Sequence, residues 1–311
     1  MRAHHLNCGT MCPPAGRLTR GEGSLFSRGR MICHCLLLET SQGLVLVDTG
    51  IGLGDIQQPD ERLGRGFTTI TNPRLDPRET AVYQVEALGF TASDVRHIVV
   101  THLDLDHAGG LSDFPDAEVH VYRPEHTAAT ARATFAERER YRPAQIAHGP
   151  RFHLYDAGGE PWFGFDCVRQ LDGLPPEILI VPVTGHSRGH AAIAVRVPDR
   201  TPVSGDAPWS QRAPDGGGDW LLHAGDAYFF RGEMDPNRRT CPIGLELFQR
   251  MVAIDDEARL ANQERLRMLA KERAGRVRIF CAHDDVELER LRAESMAEQG
   301  PEPGRGASDA A

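Results

Sequence analysis

Apolar residues gather along this chain into short runs, and most of the runs stop at a polar or charged cluster. Residues 32–38 and 44–47 are apolar and flank Glu39-Thr40-Ser41-Gln42-Gly43, which predicts a β-hairpin with a glycine-containing turn. The second run ends at Asp48-Thr49-Gly50-Ile51-Gly52, a carboxylate in a glycine-rich turn, and 53–76 reads as a long polar loop. From 78 to 88 apolar residues recur at helical spacing (Ala81, Val82, Val85, Leu88), with Gly89 placed to end the helix. Residues 98–100 are again apolar and lead into His102-Leu103-Asp104-Leu105-Asp106-His107-Ala108-Gly109-Gly110. A short strand is predicted at 118–122 and a polar, alanine-rich helix at 124–138. Residues 139–176, rich in Gly, Pro and aromatics, read as an irregular stretch expected to wall a substrate.

Strands follow at 178–183, ending at Thr184-Gly185-His186-Ser187-Arg188-Gly189-His190, and at 191–197. The Pro/Gly-rich stretch 198–219 reads as an exposed insertion, after which Trp220-Leu221-Leu222-His223-Ala224-Gly225 runs into Asp226-Ala227-Tyr228-Phe229. A helical region covers about 243–273, a strand 276–281 ends at Ala282-His283-Asp284-Asp285, and 286–296 closes as a helix. Residues 299–311 read as a disordered tail. Strands and helices alternate irregularly without an internal linker, so a single α/β domain over 1–298 is expected, with two sheets inside and helices outside.

Composition narrows the partners. Of 311 residues 40% are hydrophobic and 25% charged, as in soluble globular proteins, and a net charge of -9 leaves no basic field for a nucleic-acid backbone. No stretch approaches the roughly 20 apolar residues of a membrane helix, and Met1-Arg2-Ala3-His4-His5-Leu6 lacks the apolar core of a signal peptide, so a cytoplasmic protein is expected. Seven scattered cysteines form no disulfide framework; Cys8 and Cys12 read as free thiols, and Cys33 and Cys35 share one strand face with His34 on the other.

The chemistry lies at the ends of the apolar runs. Two histidines and two carboxylates fall within 102–107, and neutral imidazoles and carboxylates are the ligands that zinc or iron accepts. His102, His186, Asp226 and His283 each follow a separate strand-like run, and Asp48 follows a fifth. Strands aligned in adjacent sheets would bring all of them to one rim. Asp206 in Gly205-Asp206-Ala207 mimics the setting of Asp226, but it follows a poor strand, which favours Asp226.

These motifs resemble those of the metallo-β-lactamase superfamily, whose pattern is His-x-His-x-Asp-His followed by a further His, an Asp and a last His. Here it stands as His102-x-Asp104-x-Asp106-His107, then His186, Asp226 and His283, preceded by Leu46-Val47-Asp48-Thr49-Gly50. The resemblance covers about residues 30–285 and implies a four-layer αββα sandwich of two mixed sheets with a two-metal site at one edge. On that resemblance His102, Asp104 and His186 would hold one divalent ion, and Asp106, His107 and His283 the second. Asp226 would bridge and Asp48 would orient ligands from behind, while His190, which could ligate in place of His186, reads as a residue behind the ligands or the start of the next strand. The departure is Asp104, where the family usually has histidine. A carboxylate there adds negative charge, weakens the metal as a Lewis acid and brings iron closer as an alternative to zinc.

Two ions about 3.5–4 Å apart generate a metal-bound hydroxide near neutral pH. The expected function is therefore hydrolysis of a small ester, lactone or thioester, with Asp106 and Tyr228 as candidate catalytic groups. Tyr228 reads equally as an oxyanion donor or as a core residue. The alternatives are an iron-dependent oxidoreductase of the same superfamily, and a metal-binding protein without catalysis. The expected partner is a small-molecule substrate, with room for a homodimer. His120, His126, His148, His153 and His223 read as structural or surface residues.

Overall fold

The computed structural model describes residues 1–197 and 219–299. Among them twelve strands build two six-stranded sheets. The first takes β1 (Arg2–Met11), β2 (Met31–Thr40), β3 (Gly43–Val47), β4 (Val95–Val99), β5 (Glu118–Tyr122) and β6 (Arg151–Tyr155), in that order. The second takes β7 (Glu160–Trp162), β8 (Phe165–Gln170), β9 (Ile178–Pro182), β10 (Ala191–Arg196), β11 (Trp220–His223) and β12 (Val277–Phe280), in reverse order across the sheet. Strands β3 to β6 run parallel, as do β11 and β12, so both sheets are mixed.

Period-two alternation assigns each strand face to a layer. Leu36, Leu38, Val45, Val47 and Val99 meet Ile178, Ile180, Ile193 and Val195 in the core between the sheets. Leu37, Leu46, Ile98, Val119 and Val121 turn the other way, beneath Val82 and Val85 of helix Ala81–Ala87 and Ala128 and Ala129 of helix Arg123–Ala131. The outer face of the second sheet (Val181, Ala192, Ala194, Leu222, Ile279) packs on Leu266 and Leu269 of helix Asp256–Glu272. The result is the expected αββα sandwich.

Several elements differ from expectation. Residues 53–76 carry three short helices, Leu53–Gln57, Pro59–Arg62 and Arg65–Thr71. A buried ion pair rather than an apolar stripe organises them, with Arg62 Nε 2.7 Å from Asp55 Oδ1. The helix expected at 124–138 is two, Arg123–Ala131 and Phe135–Arg140, divided where Arg132 adopts φ 44° and Thr134 caps the second. The stretch 139–176 is not an irregular wall: it supplies the edge strand β6 to one sheet and β7 and β8 to the other. Strand β1, with no predicted counterpart, extends the first sheet along β2. The expected insertion at 198–219, apart from Asp219, the alternative Asp206 and the tail beyond 299 lie outside the described residues. No helix among the described residues is long and apolar enough to cross a membrane.

Candidate metal centre

The parallel strands β3 and β4 end side by side, and the chain leaves each at a polar turn. After Val47, Asp48 takes a left-handed backbone (φ 58°), and its carboxylate receives the Thr101 N–H at 2.7 Å and the Thr101 hydroxyl at 2.8 Å. After β4 residues 100–103 carry His102, and Asp104 caps the one-turn helix Leu105–Ala108 that presents Asp106 and His107. From the second sheet come His186 beyond β9, Asp226 beyond β11 and His283 beyond β12. Gly225 sets the Asp226 turn at φ +53°; a Cβ on it would stand 2.6 Å from His190 Nε2 and 3.0 Å from the Thr101 side chain. Only glycine fits that close approach.

Two sets of ligand atoms each lie within 4.8 Å of one another: His102, His186 and Asp226, and Asp106, His107 and His283. Asp226 belongs to both neighbourhoods. Its Oδ1 is 3.2 Å from His107 Nε2 and 3.0 Å from His283 Nε2, while Oδ2 is 3.4 Å from His186 Nε2 and 3.8 Å from His102 Nε2. Asp104 Oδ2 lies 3.0 Å from His186 Nε2 and 3.4 Å from His102 Nε2. The far nitrogens are tied down: His107 Nδ1 is 2.9 Å from Asp48 Oδ2, His102 Nδ1 2.9 Å from Thr101 Oγ1 and His283 Nδ1 2.8 Å from the Ile32 carbonyl. His190 stands behind the cluster, its Nδ1 on the Val183 carbonyl and its Nε2 accepting the Asp226 N–H at 2.9 Å.

The donor set fits divalent cations. His102 Nε2, His107 Nε2 and Asp226 Oδ1 are buried without a hydrogen-bond partner, an arrangement that costs free energy unless a cation completes it. Burial alone would raise the Asp226 carboxyl, but His283, His107 and His186 hold it well below the usual carboxylate range. Asp104 behaves alike, its burial outweighed by Arg140 and His102. His190 is driven well below the usual imidazole range by burial and by its neighbours His102 and His186. The carboxylates are thus ready as anions. The least buried of the site side chains are Asp104 and Asp106, at 14% and 10%, and they mark its opening.

Three residues escaped sequence reasoning. Arg140, nearly buried, places Nε 3.0 Å from Asp104 Oδ1 and donates to the carbonyls of His186 (2.7 Å) and Val252 (2.8 Å). Glu125, fully buried, accepts from Leu103 N, the Tyr141 hydroxyl, the Ser187 hydroxyl and Gly189 N, fastening the His102 and His186 loops together. Phe229 lies over the site, its ring 4.7 Å from that of His283. None of them sits in a local pattern that marks a site. Tyr228 is a correction: it is fully buried in the core over the second sheet, and its hydroxyl donates to Glu287 at 3.0 Å, so it is not available to an oxyanion.

Comparisons with known proteins agree with this fold. The family model described as Metallo-beta-lactamase superfamily matches residues 28–207. A probable metallo-hydrolase of Mycobacterium tuberculosis is 39% identical over 91% of this chain and 80% of its own length. The N-acyl homoserine lactonase AttM of Rhizobium johnstonii is 30% identical over 54% of this chain and 60% of its own. Among solved structures, an N-acyl homoserine lactone hydrolase with N-hexanoyl-L-homoserine at its catalytic metal centre superposes with a TM-score of 0.64 at 20% identity, covering 93% of this chain and 95% of that one.

Proposed function

This chain belongs to the metallo-β-lactamase superfamily, and from that premise we propose that it is a metal-dependent hydrolase of a small lactone or related ester, working with two divalent ions, zinc in the first instance. The observation that carries the reading is Asp226, which stands between the two ligand sets, with Oδ1 toward His107, Oδ2 toward His186 and His102, and His283 Nε2 within 3.2 Å of both oxygens. His102, Asp104 and His186 would hold one ion and Asp106, His107 and His283 the other, with Asp226 shared. Ions bound there would polarise a carbonyl oxygen and lower the pKa of a water.

The chain's own groups supply the rest. Asp48 and Thr101 fix the imidazoles of His107 and His102 so that their Nε2 atoms point inward. Among the described residues the nearby nucleophiles are engaged: the Ser187 hydroxyl is spent on Glu125, and burial, with Asp106 close by, pushes the Cys33 thiol well up. Water is left as the attacking group. The carboxylate of Asp106, at the opening, would take a proton from that water and return it to the leaving oxygen. The lactonase relatives support a cyclic ester, and the thioester stays within the same chemistry.

The test is a panel of lactones, thioesters, β-lactams and phosphodiesters on protein reconstituted with zinc, with metal counted per chain. Lactone or ester turnover that disappears in Asp226→Ala, together with the ions of this centre, is the expected result. Turnover and full metal content retained in Asp226→Ala, or iron accompanied by oxygen consumption, would overturn it.

A further inference from the structure

A second histidine cluster lies on the same sheet, well away from the metal centre. Strands β4, β5 and β6 carry His97, His120 and His153, each two residues before Val99, Tyr122 and Tyr155, and Glu118 precedes His120 by two. Period-two alternation puts all of them on the face with those three core residues. His97 lies within β4, two residues before its last residue Val99, whereas His102 lies beyond the end of that strand.

The four side chains converge. His97 Nδ1 is 3.0 Å from His120 Nε2 and 3.8 Å from Glu118 Oε2, and the ligand atoms of these three residues lie within 4.8 Å of one another. His153 Nε2 is 3.0 Å from the same Glu118 oxygen, and its ring stacks on His120 with centroids 4.9 Å apart. A tetrahedral ion with ligands at about 2.0–2.1 Å separates them by roughly 3.3 Å, a value bracketed by the 3.0 and 3.8 Å separations of His97 from His120 and Glu118. Behind His120, Nδ1 is 2.7 Å from the Tyr155 hydroxyl, which also accepts the Asp172 N–H at 3.0 Å. A ligating imidazole is held in this way by an outer partner, with its other nitrogen free to point at the ion. His120 is buried, whereas the side chains of Glu118 and His153 are 37% and 39% exposed and leave a path from solvent.

We propose that His97, Glu118 and His120, with His153 beside the fourth position, bind a third divalent cation of the zinc class. Imidazole with a single carboxylate suits zinc, cobalt or nickel and is a poor match for calcium or magnesium. The ion would clip β5 to β4, with His153 of the edge strand β6 beside it, a stabilising role separate from turnover.

The test uses the full chain, stripped by chelator, reloaded with Zn(II) and passed through a desalting column before the ions are counted. Asp226→Ala, which disables the metal centre, should keep one ion per chain, and the double variant His97→Ala/Asp226→Ala should lose it. In the otherwise unaltered chain His97→Ala and Glu118→Gln should each carry one ion fewer, with ester or lactone turnover and circular dichroism unchanged. Zinc should also raise the melting temperature of Asp226→Ala and leave the double variant unmoved. Equal ion counts with and without His97, or an Asp226→Ala protein that retains none while folded, would overturn the site. Should Asp226→Ala fail to fold, the counts for His97→Ala and Glu118→Gln decide alone.

Discussion

Asp104 is the residue of the candidate metal centre that departs from the family pattern, and its setting changes the meaning of its charge. A carboxylate in place of an imidazole adds an anion to a site already holding Asp106 and Asp226. Arg140 answers it, with Nε 3.0 Å from Asp104 Oδ1 and the rest of the guanidinium fixed on the His186 and Val252 carbonyls. The pair is nearly dry, so removing one member strands the other, at a cost of about 3–5 kcal/mol. In Arg140→Leu the metal-free protein should lose stability on that order. A bound cation would replace the lost positive charge, so the deficit should shrink when zinc is present. Melting of both proteins with zinc and with chelator isolates the electrostatic part, because the lost carbonyl contacts weigh equally in the two states. An equal deficit in both conditions would remove Asp104 from the metal's surroundings.

At the scale of elements, what was legible was what a local pattern encodes. Runs leading to Asp48, His102, His186, Asp226 and His283 are strands that end one to four residues before them, because an apolar run and the polar turn that stops it are neighbours in sequence. The helices within 53–71 were illegible because a single buried pair, Asp55 with Arg62, organises them, and 139–176 hid three strands that are short and half-exposed. Arg140 and Glu125 act on partners remote in sequence, so no window contains their signal. Tyr228 failed for the same reason: its hydroxyl is claimed by Glu287 of helix Asp285–Gln299. Burial first, then Asp284, raises the Glu287 carboxyl from 4.5 to about 7. Because its folded pKa is the higher one, its stabilising contribution is complete below about 4.5 and is lost as the pH rises through about 7. That difference amounts to something on the order of 3 kcal/mol. Relative to the unaltered chain, Glu287→Gln should therefore gain stability between pH 5 and pH 8, read by urea unfolding at each pH. Parallel curves for the two proteins would show that Glu287 ionises normally.

Across the whole molecule the candidate metal centre is a joint between two layers. Asp48, His102, Asp106 and His107 are carried by the first sheet, and His186, Asp226 and His283 by the second. The loops at this rim are already stitched: His34 N and Ile32 N of β2 donate to the carbonyls of Ala282 and His283, and Ala191 N of β10 donates to Thr101. What the protein alone leaves unfinished is the set of inward-facing atoms, His102 Nε2, His107 Nε2 and Asp226 Oδ1. Cations that fill it bind only when both sheets are in place, so their binding free energy is added to folding by mass action. At free zinc a hundredfold above the dissociation constant, one ion contributes about 2.7 kcal/mol. A chelator should accordingly lower the melting temperature by several degrees, as one cooperative transition and not as early loss of a single loop, since neither sheet can release its ligands alone. Re-adding zinc should restore the original midpoint, and the midpoint should climb further with excess free metal, following the logarithm of its concentration. Calorimetry over a zinc series in the Glu118→Gln protein confines the measurement to this centre. A midpoint there that ignores both chelator and zinc would mean that the two sheets hold these ligands in register without any ion.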